Sequence, residues 1–356
     1  MTPHQHQLKM IPNYLKLKCS GKRYGFILLF TLLVACSEPT IYKLEGSAQG
    51  TSYHISYWAD VPVNEKEVEA LVKSQFDSID KTLSNYRPDS TIEVFNSTET
   101  MESQEVGSEI VSLVRTAKTV FTASHGCYDL TIKPLFELWG FRRDKLSIPD
   151  DVSITKLLAQ IGMEKLEIVD ETHLRKKELK LKVDLSSIAQ GYSVGRISDI
   201  LEQQGIVNYL VEIGGELKTR GQKPDAQAWR IAVERPLPGE QVMQKIMSMP
   251  KEQPIAVMTS GTYRHYFDNE GKRYSHILDA RTGRPVSHDL VSVTVIHENP
   301  TIADAWSTAL LCMGPKDGMA AANLEKIPAL FIVQQDKELI ESRSEPLTTL
   351  DILTIH

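Results

Sequence analysis

The sequence predicts an α+β fold. Helical and strand periodicities alternate irregularly, without the regular strand–helix–strand units that build a doubly wound parallel sheet. Strand-like runs dominate from Tyr209 to Gln334, after a region that carries most of the helical patterns. Hydrophobic content of 41% with 24% charged residues marks an ordinary globular chain, and 356 residues leave room for one large domain or two modest ones.

Residues 1–35 read differently, as a lipoprotein signal peptide. Lys9, Lys16, Lys18, Lys22 and Arg23 precede an apolar run from Phe26 to Ala35, with no acidic residue before it. That run is too short to span a bilayer and has the length of a signal-peptide core. It ends in Leu33-Val34-Ala35-Cys36, which resembles a bacterial lipobox, with Cys36 taking the lipid; a signal anchor that contains a cysteine is the alternative. Met10 is a second candidate start. The expectation is an exported, membrane-anchored lipoprotein facing the periplasm, with residues 36–40 as a tether. Either membrane fits, and Ser37 suits export to the outer one of a Gram-negative cell.

Five of the 40 basic residues and none of the 46 acidic ones precede Cys36, so the mature chain carries 35 − 46 = −11. That balance argues against nucleic acid as a partner. It also means that an anionic ligand needs a cation or backbone N–H donors. Cys127 and Cys312 sit in no metal-ligand spacing; they are expected as two buried thiols rather than a pair.

Beyond the tether, Ile41–Leu44 and Gln49–Tyr57 read as strands. Val68, Leu71, Val72, Phe76, Ile79 and Leu83 follow helical spacing after Asn64, which with Glu67 forms a capping box. Further helices are expected over Ser108–Ala123, over Ser187–Gln204 with Gly205 as its stop, and over Thr301–Met313 with Thr301 and Asp304 as the capping pair and Gly314 at its end. Strands are expected at Tyr209–Ile213, Trp229–Glu234, Ile255–Met258, Val291–His297 and Ala329–Gln334, and Pro236–Pro254 reads as a surface loop.

Chemistry concentrates in Thr259–Pro285, which packs a Ser-Gly turn, tyrosines, His276, Asp279 and an Arg-Thr-Gly loop between buried strands. Asp304 and Thr308 stand four residues apart, on one helix face, as a hard-oxygen pair suited to magnesium; taken alone, helix capping by Asp304 is the better reading. Val183–Tyr192 runs from a strand end through Asp184 into a helix start whose free N–H groups hold anions, or simply caps a helix. Gly214-Gly215 is either a close approach to ligand or a hairpin turn. The aromatics between Gly126 and Phe141 read as core.

The ordered set is more specific than its parts. Gln49-Gly50-Thr51-Ser52-Tyr53, Asp80 with Leu83-Ser84-Asn85-Tyr86 and Asn96, Asp129 with Trp139-Gly140-Phe141, Asp184 with Gly191-Tyr192, Gly214-Gly215, Thr259-Ser260-Gly261 with His276-Ile277, Thr282-Gly283 and Pro285, and Ala303-Asp304 with Ser307-Thr308 follow one another in this order. The series resembles the ApbE family, the FAD:protein FMN transferases, from about Ile41 to Gln334.

The resemblance implies a T-fold-like, two-lobed arrangement of mixed or antiparallel sheets packed with helices, an FAD cleft between the lobes, a transferase domain over 41–340 and a C-terminal tail over 341–356. It implies Mg²⁺ held by Asp304 and Thr308, with Ser307 and an oxygen of Ser187 beside them. FAD contacts are implied at Gln49, Tyr86, Cys127, Tyr128, Asp129, Asp184, Gln190, Ser260, Gly261, Ile277 and Leu278, and His276 is implied at the transferring phosphoryl. The reaction implied moves FMN from FAD to a threonine of a target protein, such as a subunit of a membrane or periplasmic redox complex. Hydrolysis of FAD to FMN and AMP, or flavin binding without turnover, are the alternatives. Members often carry Met, Lys and Pro where this chain has Gln49, Gln190 and Ala280; the change at Gln190 removes a positive charge beside the ligand.

Overall fold

Eight strands form one sheet whose spatial order repeats their order along the chain. The structure is a computed structural model that describes residues 40–237, 243–336, 338–350 and 354–355. Cys36 and the leader lie outside the described residues. No helix among the described residues is long and apolar enough to cross a membrane.

The strands are β1 (Tyr42–Ala48), β2 (Thr51–Trp58), β3 (Asn208–Ile213), β4 (Glu216–Arg220), β5 (Ile255–Gly261), β6 (Leu290–His297), β7 (Ala329–Gln335) and β8 (Glu338–Arg343). Every adjacent pair is antiparallel. The insertion after β2 carries α1 (Glu65–Leu83), α2 (Gly107–Ala123) and α3 (Ala189–Gln203), and α4 (Pro300–Leu324) follows β6. This is the α+β organisation that the sequence predicts.

Strand alternation sorts the two faces of the sheet. On β5, Ala256 and Met258 join the helices in the main core, where Val68, Val72 and Ile79 of α1 and Ile110, Val114 and Ala117 of α2 are buried. Ile255 and Val257 point to the opposite face and pack with Trp229, Ile231 and Met247. A third cluster stands apart from both, with Leu135, Trp139, Phe141, Ile154 and Leu278 at its centre. It forms a small lobe beside the sheet, so the boundary between the main core and this lobe is the natural place for a cleft.

Several local expectations hold in detail. The Asn64 side chain accepts from Glu67 N at the start of α1. Gly205 follows α3 with a positive φ of 74°, the conformation that frees a chain from a helix. Others need correction. The helix start at Ser187 moves to Ala189, because Ser186–Ile188 form a turn. The Asn299 side chain, not Thr301 with Asp304, caps α4 by accepting from Thr301 N and Ile302 N. That helix resumes beyond Gly314, whose φ of 83° and ψ of −179° break it before Pro315.

The expected loop Pro236–Pro254 contains a strand, Met243–Ser248, paired with Arg230–Glu234 and Thr354–Ile355. This three-stranded sheet covers the back face of the main one. The expected tail at 341–356 enters the fold through β8, the short helix Glu345–Thr348 and Thr354–Ile355. Ile340 and Glu338 on β8 pair with Val333 and Gln335 on β7, which makes the segment a sheet edge.

Cys127 and Cys312 are not two thiols. They form a disulfide with Cα atoms 6.0 Å apart and 185 residues of separation. A cross-link that closes so long a loop removes much conformational freedom from the unfolded chain. Exchanging both for serine is expected to cost about 2–5 kcal/mol of stability. Chemical denaturation of the two proteins measures the loss, and non-reducing peptide mapping should recover the linked pair; free thiols at both positions would refute it.

Candidate active site

The cleft has a volume of ≈ 290 Å³ and is lined from both lobes. Its sheet side comes from the end of β5, the Gly214 turn and α4. Its other side comes from Cys127–Asp129, Phe136, Phe141 and Ile277–Leu278. Tyr86 and Arg142 belong to the mouth, with Tyr86 78% exposed and the Arg142 guanidinium 4.7 Å above its ring.

Helical periodicity delivers the first polar wall. Asp304, Thr308 and Cys312 stand four residues apart on α4 and share a stripe that faces the cleft. Strand alternation delivers the second. Ala256, Met258 and Ser260 face the helices, and Ser260 Oγ lies 2.8 Å from Ser307 Oγ and 3.0 Å from Thr308 Oγ1. Ser307 Oγ in turn donates to the Asp304 carbonyl at 2.9 Å. Ser307 is fully buried behind this wall rather than part of the cleft surface.

Asp304 is only 2% exposed. Its Oδ2 accepts from Gly191 N at 2.7 Å, a backbone donor in the first turn of α3 that has no partner within its own helix. The carboxyl of Glu216, at the start of β4, meets it from the sheet. Burial pushes Asp304 up to about 7 and raises Glu216 well above the usual carboxylate range. Two carboxyl groups at this distance cannot both ionise without a positive charge between them.

Near the start of α3, Asp184 accepts from Ser186 N at 2.9 Å and lies 3.6 Å from Arg142. The Ser187 carbonyl accepts from Tyr128 Oη at 3.4 Å, and Ser187 Oγ donates back to it at 3.2 Å. Burial holds the Tyr128 phenol far above its ordinary range, so it stays a neutral donor. Gln190 Nε2 donates to the Ile213 carbonyl at 3.1 Å, beside the Gly214-Gly215 turn, where both glycines have positive φ. The pair is thus a hairpin turn, and its crowding is against a side chain of the protein: a Cβ on Gly214 would stand 2.1 Å from Gln190 Nε2.

His276 stands opposite. Its Nδ1 lies 2.7 Å from the His265 carbonyl, an acceptor only, so Nδ1 carries the hydrogen and Nε2 keeps its lone pair. The His265 ring stacks on it at 5.5 Å. Burial depresses the His276 pKa to about 4, with the nearby His265 and Arg264 charges acting in the same direction.

Of the residues expected from the sequence, Tyr86, Cys127, Tyr128, Asp129, Asp184, Ser187, Gln190, Ser260, Gly261, His276, Ile277, Leu278, Asp304 and Thr308 all line the cleft. Gln49 does not. It occupies the turn between β1 and β2 with a φ of 54°, and its Nε2 donates to Ser193 Oγ at 2.5 Å. Asp129 lines the cleft, but its carboxylate is engaged by Thr131 N and Oγ1, each at 2.6 Å, and by Met163 N at 3.2 Å. Cys127 offers a disulfide sulfur, not a thiol. Sequence reasoning missed Glu216, Arg142, Arg264 and His265 on the walls. Alternation along β4 was the available signal for Glu216, because Leu217 belongs to the opposite face.

The ApbE family profile matches residues 49–331. An FAD:protein FMN transferase of Vibrio cholerae is 37% identical over 322 residues, covering 88% of this chain and 95% of the relative. One from Salmonella typhimurium is 33% identical over 328 residues, covering 88% and 93%. Among solved structures, the flavin transferase ApbE from Vibrio cholerae superposes with a TM-score of 0.79 at 36% identity, covering 87% of this chain and 99% of that one. The apo flavinyl transferase ApbE of Pseudomonas stutzeri gives 0.80 at 34%, covering 88% and 98%. With the fold, the cleft and these relatives in agreement, the chain belongs to the ApbE family.

Proposed function

We propose that the protein transfers the FMN moiety of FAD to a threonine hydroxyl of a target protein and releases AMP. The observation that carries this conclusion is the convergence on one cleft of fourteen residues expected from the family motifs, in a chain whose relatives of nearly equal length are FAD:protein FMN transferases.

The cleft suits a flat, apolar ring joined to a polyanion. Phe136, Phe141, Ile132 and Leu278 offer an apolar wall, and Tyr86 presents a ring face at the mouth. Arg142 and Arg264 stand on the walls as cations, which offsets the loss of a lysine at Gln190. The donor set of Asp304, Thr308 and the Ser187 carbonyl is all oxygen and includes a buried carboxylate, so it fits a small hard cation, and these residues would hold Mg²⁺. When bound there, Mg²⁺ supplies charge neutralisation for the pyrophosphate. Ser260 fixes the Thr308 hydroxyl through its own 3.0 Å contact.

His276 takes the proton of the incoming threonine. Its neutral ring presents the free Nε2 as base, while the His265 carbonyl fixes the tautomer. The threonine oxygen then bonds to the phosphorus on the FMN side as the bond to the AMP oxygen breaks. Transfer to water would instead give FMN and AMP.

The lipobox-like Leu33–Cys36 supports an exported lipoprotein, anchored through Cys36 and facing the periplasm, with subunits of membrane or periplasmic redox complexes as targets.

Incubation with FAD, Mg²⁺ and a protein bearing a threonine in an exposed loop should give a fluorescent flavin band on a denaturing gel. FMN and AMP without labelling would indicate hydrolysis, and absence of AMP would indicate a binder. Asp304→Ala is expected to lower Mg²⁺-dependent AMP release by roughly 10²-fold or more; undiminished release would refute the metal assignment.

In an NMR titration of the protein without ligand, the His276 ring should titrate near pH 4 rather than near 6.5. The unfolded chain takes up this proton below pH 6.5 and the folded one does not, so stability falls as pH drops through that interval. A midpoint above 6 would exclude the neutral, shielded base. Cys36→Ser should move the protein from the membrane to the soluble fraction; unchanged fractionation would remove the lipid anchor.

A further inference from the structure

Four buried acids line the cleft among the described residues, and Asp129, Asp184 and Asp304 each accept a backbone N–H there, whereas Glu216 keeps an oxygen without a donor. Glu216 is 8% exposed, lines the cleft, and has an Oε2 that is buried without any hydrogen-bond partner. Its direction is set by the strand: Leu217 and Glu216 alternate across β4, Leu217 packs on the back face, and Glu216 therefore points toward the first turns of α3 and α4. There its carboxyl meets Asp304, which already holds Gly191 N at 2.7 Å.

The nearest cation does not satisfy it. Arg264 donates to the Gly214 carbonyl at 2.8 Å and to Glu234 at 3.4 Å. A purely structural clamp between strand and helix would leave neither carboxylate oxygen idle, since a buried acceptor without a donor is costly. Two adjoining carboxyl groups, one with an oxygen that lacks a donor, and a threonine hydroxyl line one cleft, and oxygens of this kind are the surroundings of a hard divalent cation.

We propose that Glu216 is a further oxygen ligand of the divalent cation held by Asp304 and Thr308. The assignment rests on the magnesium site proposed above. It makes the site dicarboxylate, which favours a divalent over a monovalent cation.

The test uses Mn²⁺ alone as the probe, with the full chain stripped of metal and free Mn²⁺ counted by electron paramagnetic resonance. Glu216→Gln keeps the volume and removes the charge; it is expected to raise the Kd for Mn²⁺ by about tenfold or more. The rise in Tm produced by Mn²⁺ should shrink in step. Glu216→Asp, which keeps the charge and shortens the reach, should fall between the two. Mn²⁺ affinity within twofold of the parent in Glu216→Gln, with binding lost in Asp304→Ala, overturns the role of Glu216 and leaves the Asp304 site intact. If Glu216→Gln does not fold, unchanged affinity in Glu216→Asp overturns it instead. Binding unchanged in Asp304→Ala as well overturns the cation site itself.

Discussion

Gly191 has no room for a side chain, and much of the cleft depends on that. A Cβ there would stand 2.4 Å from the Pro300 carbonyl oxygen and 2.6 Å from Asp304 Cβ. The absence of one lets the first turn of α3 rest against the first turns of α4. Its backbone N–H, orphaned by position at a helix start, then reaches the Asp304 carboxylate. With Asp304 held at this point, helical geometry fixes where Thr308 and Cys312 must lie. Thr308 meets Ser260, and Cys312 meets Cys127. One close approach between backbones therefore sets the polar wall and the point at which the segment leading into the small lobe is tied.

An acidic chain that handles a pyrophosphate has to gather positive potential locally. Here this comes from several sources of different kinds. Backbone donors at the start of α3 contribute partial charge, and Arg142 and Arg264 contribute whole charges from the two sides. Buried carboxyl groups then create a demand for a cation rather than supplying one. Burial raises the pKa of both Asp304 and Glu216, so the pair would hold a proton or take a cation in its place. On the function proposed above, a cation in that position would bring its remaining charge to the phosphate.

Periodicity made part of this legible in the sequence. The Asp304–Thr308 stripe follows from helix geometry, and Ser260 follows from its parity with Ala256 and Met258. What local pattern could not show was which of two valid local roles wins. Asp304 near a helix start reads as a cap, yet Asn299 takes that role and frees it for the cleft. Gln49 reads as a strand residue but sits in the turn, because a two-residue connection needs positive φ at both positions. Glu216 hid behind two turn glycines. The Cys127–Cys312 pair was beyond reach for another reason: no local signal relates residues 185 apart. Family motifs also mix roles. Trp139 Nε1 donates to the Gly283 carbonyl at 2.8 Å, so those two motifs meet to hold the small lobe together rather than to touch a ligand.

Rigidity is distributed unevenly around the cleft, and the distribution matches the chemistry. The inner end lies between β5, α3 and α4, where Asp304, Ser307 and Thr308 are locked by hydrogen bonds. The Cys127–Cys312 bond ties the segment that leads into the small lobe to the same helix. On the function proposed above, fixed dipoles at that end would need no reorganisation as charge develops on the transferring phosphorus. The mouth is built otherwise. Tyr86 is mostly exposed and touches Arg142 only through its ring face, while Arg142 is itself held by the Asn85 carbonyl and Asp184. A transferase must admit a second macromolecule after FAD is bound, so freedom is needed where the acceptor enters and harmful where the bond breaks. The same cleft can meet both demands because its inner wall is set by helix and strand geometry, whereas its mouth includes the mostly exposed ring of Tyr86.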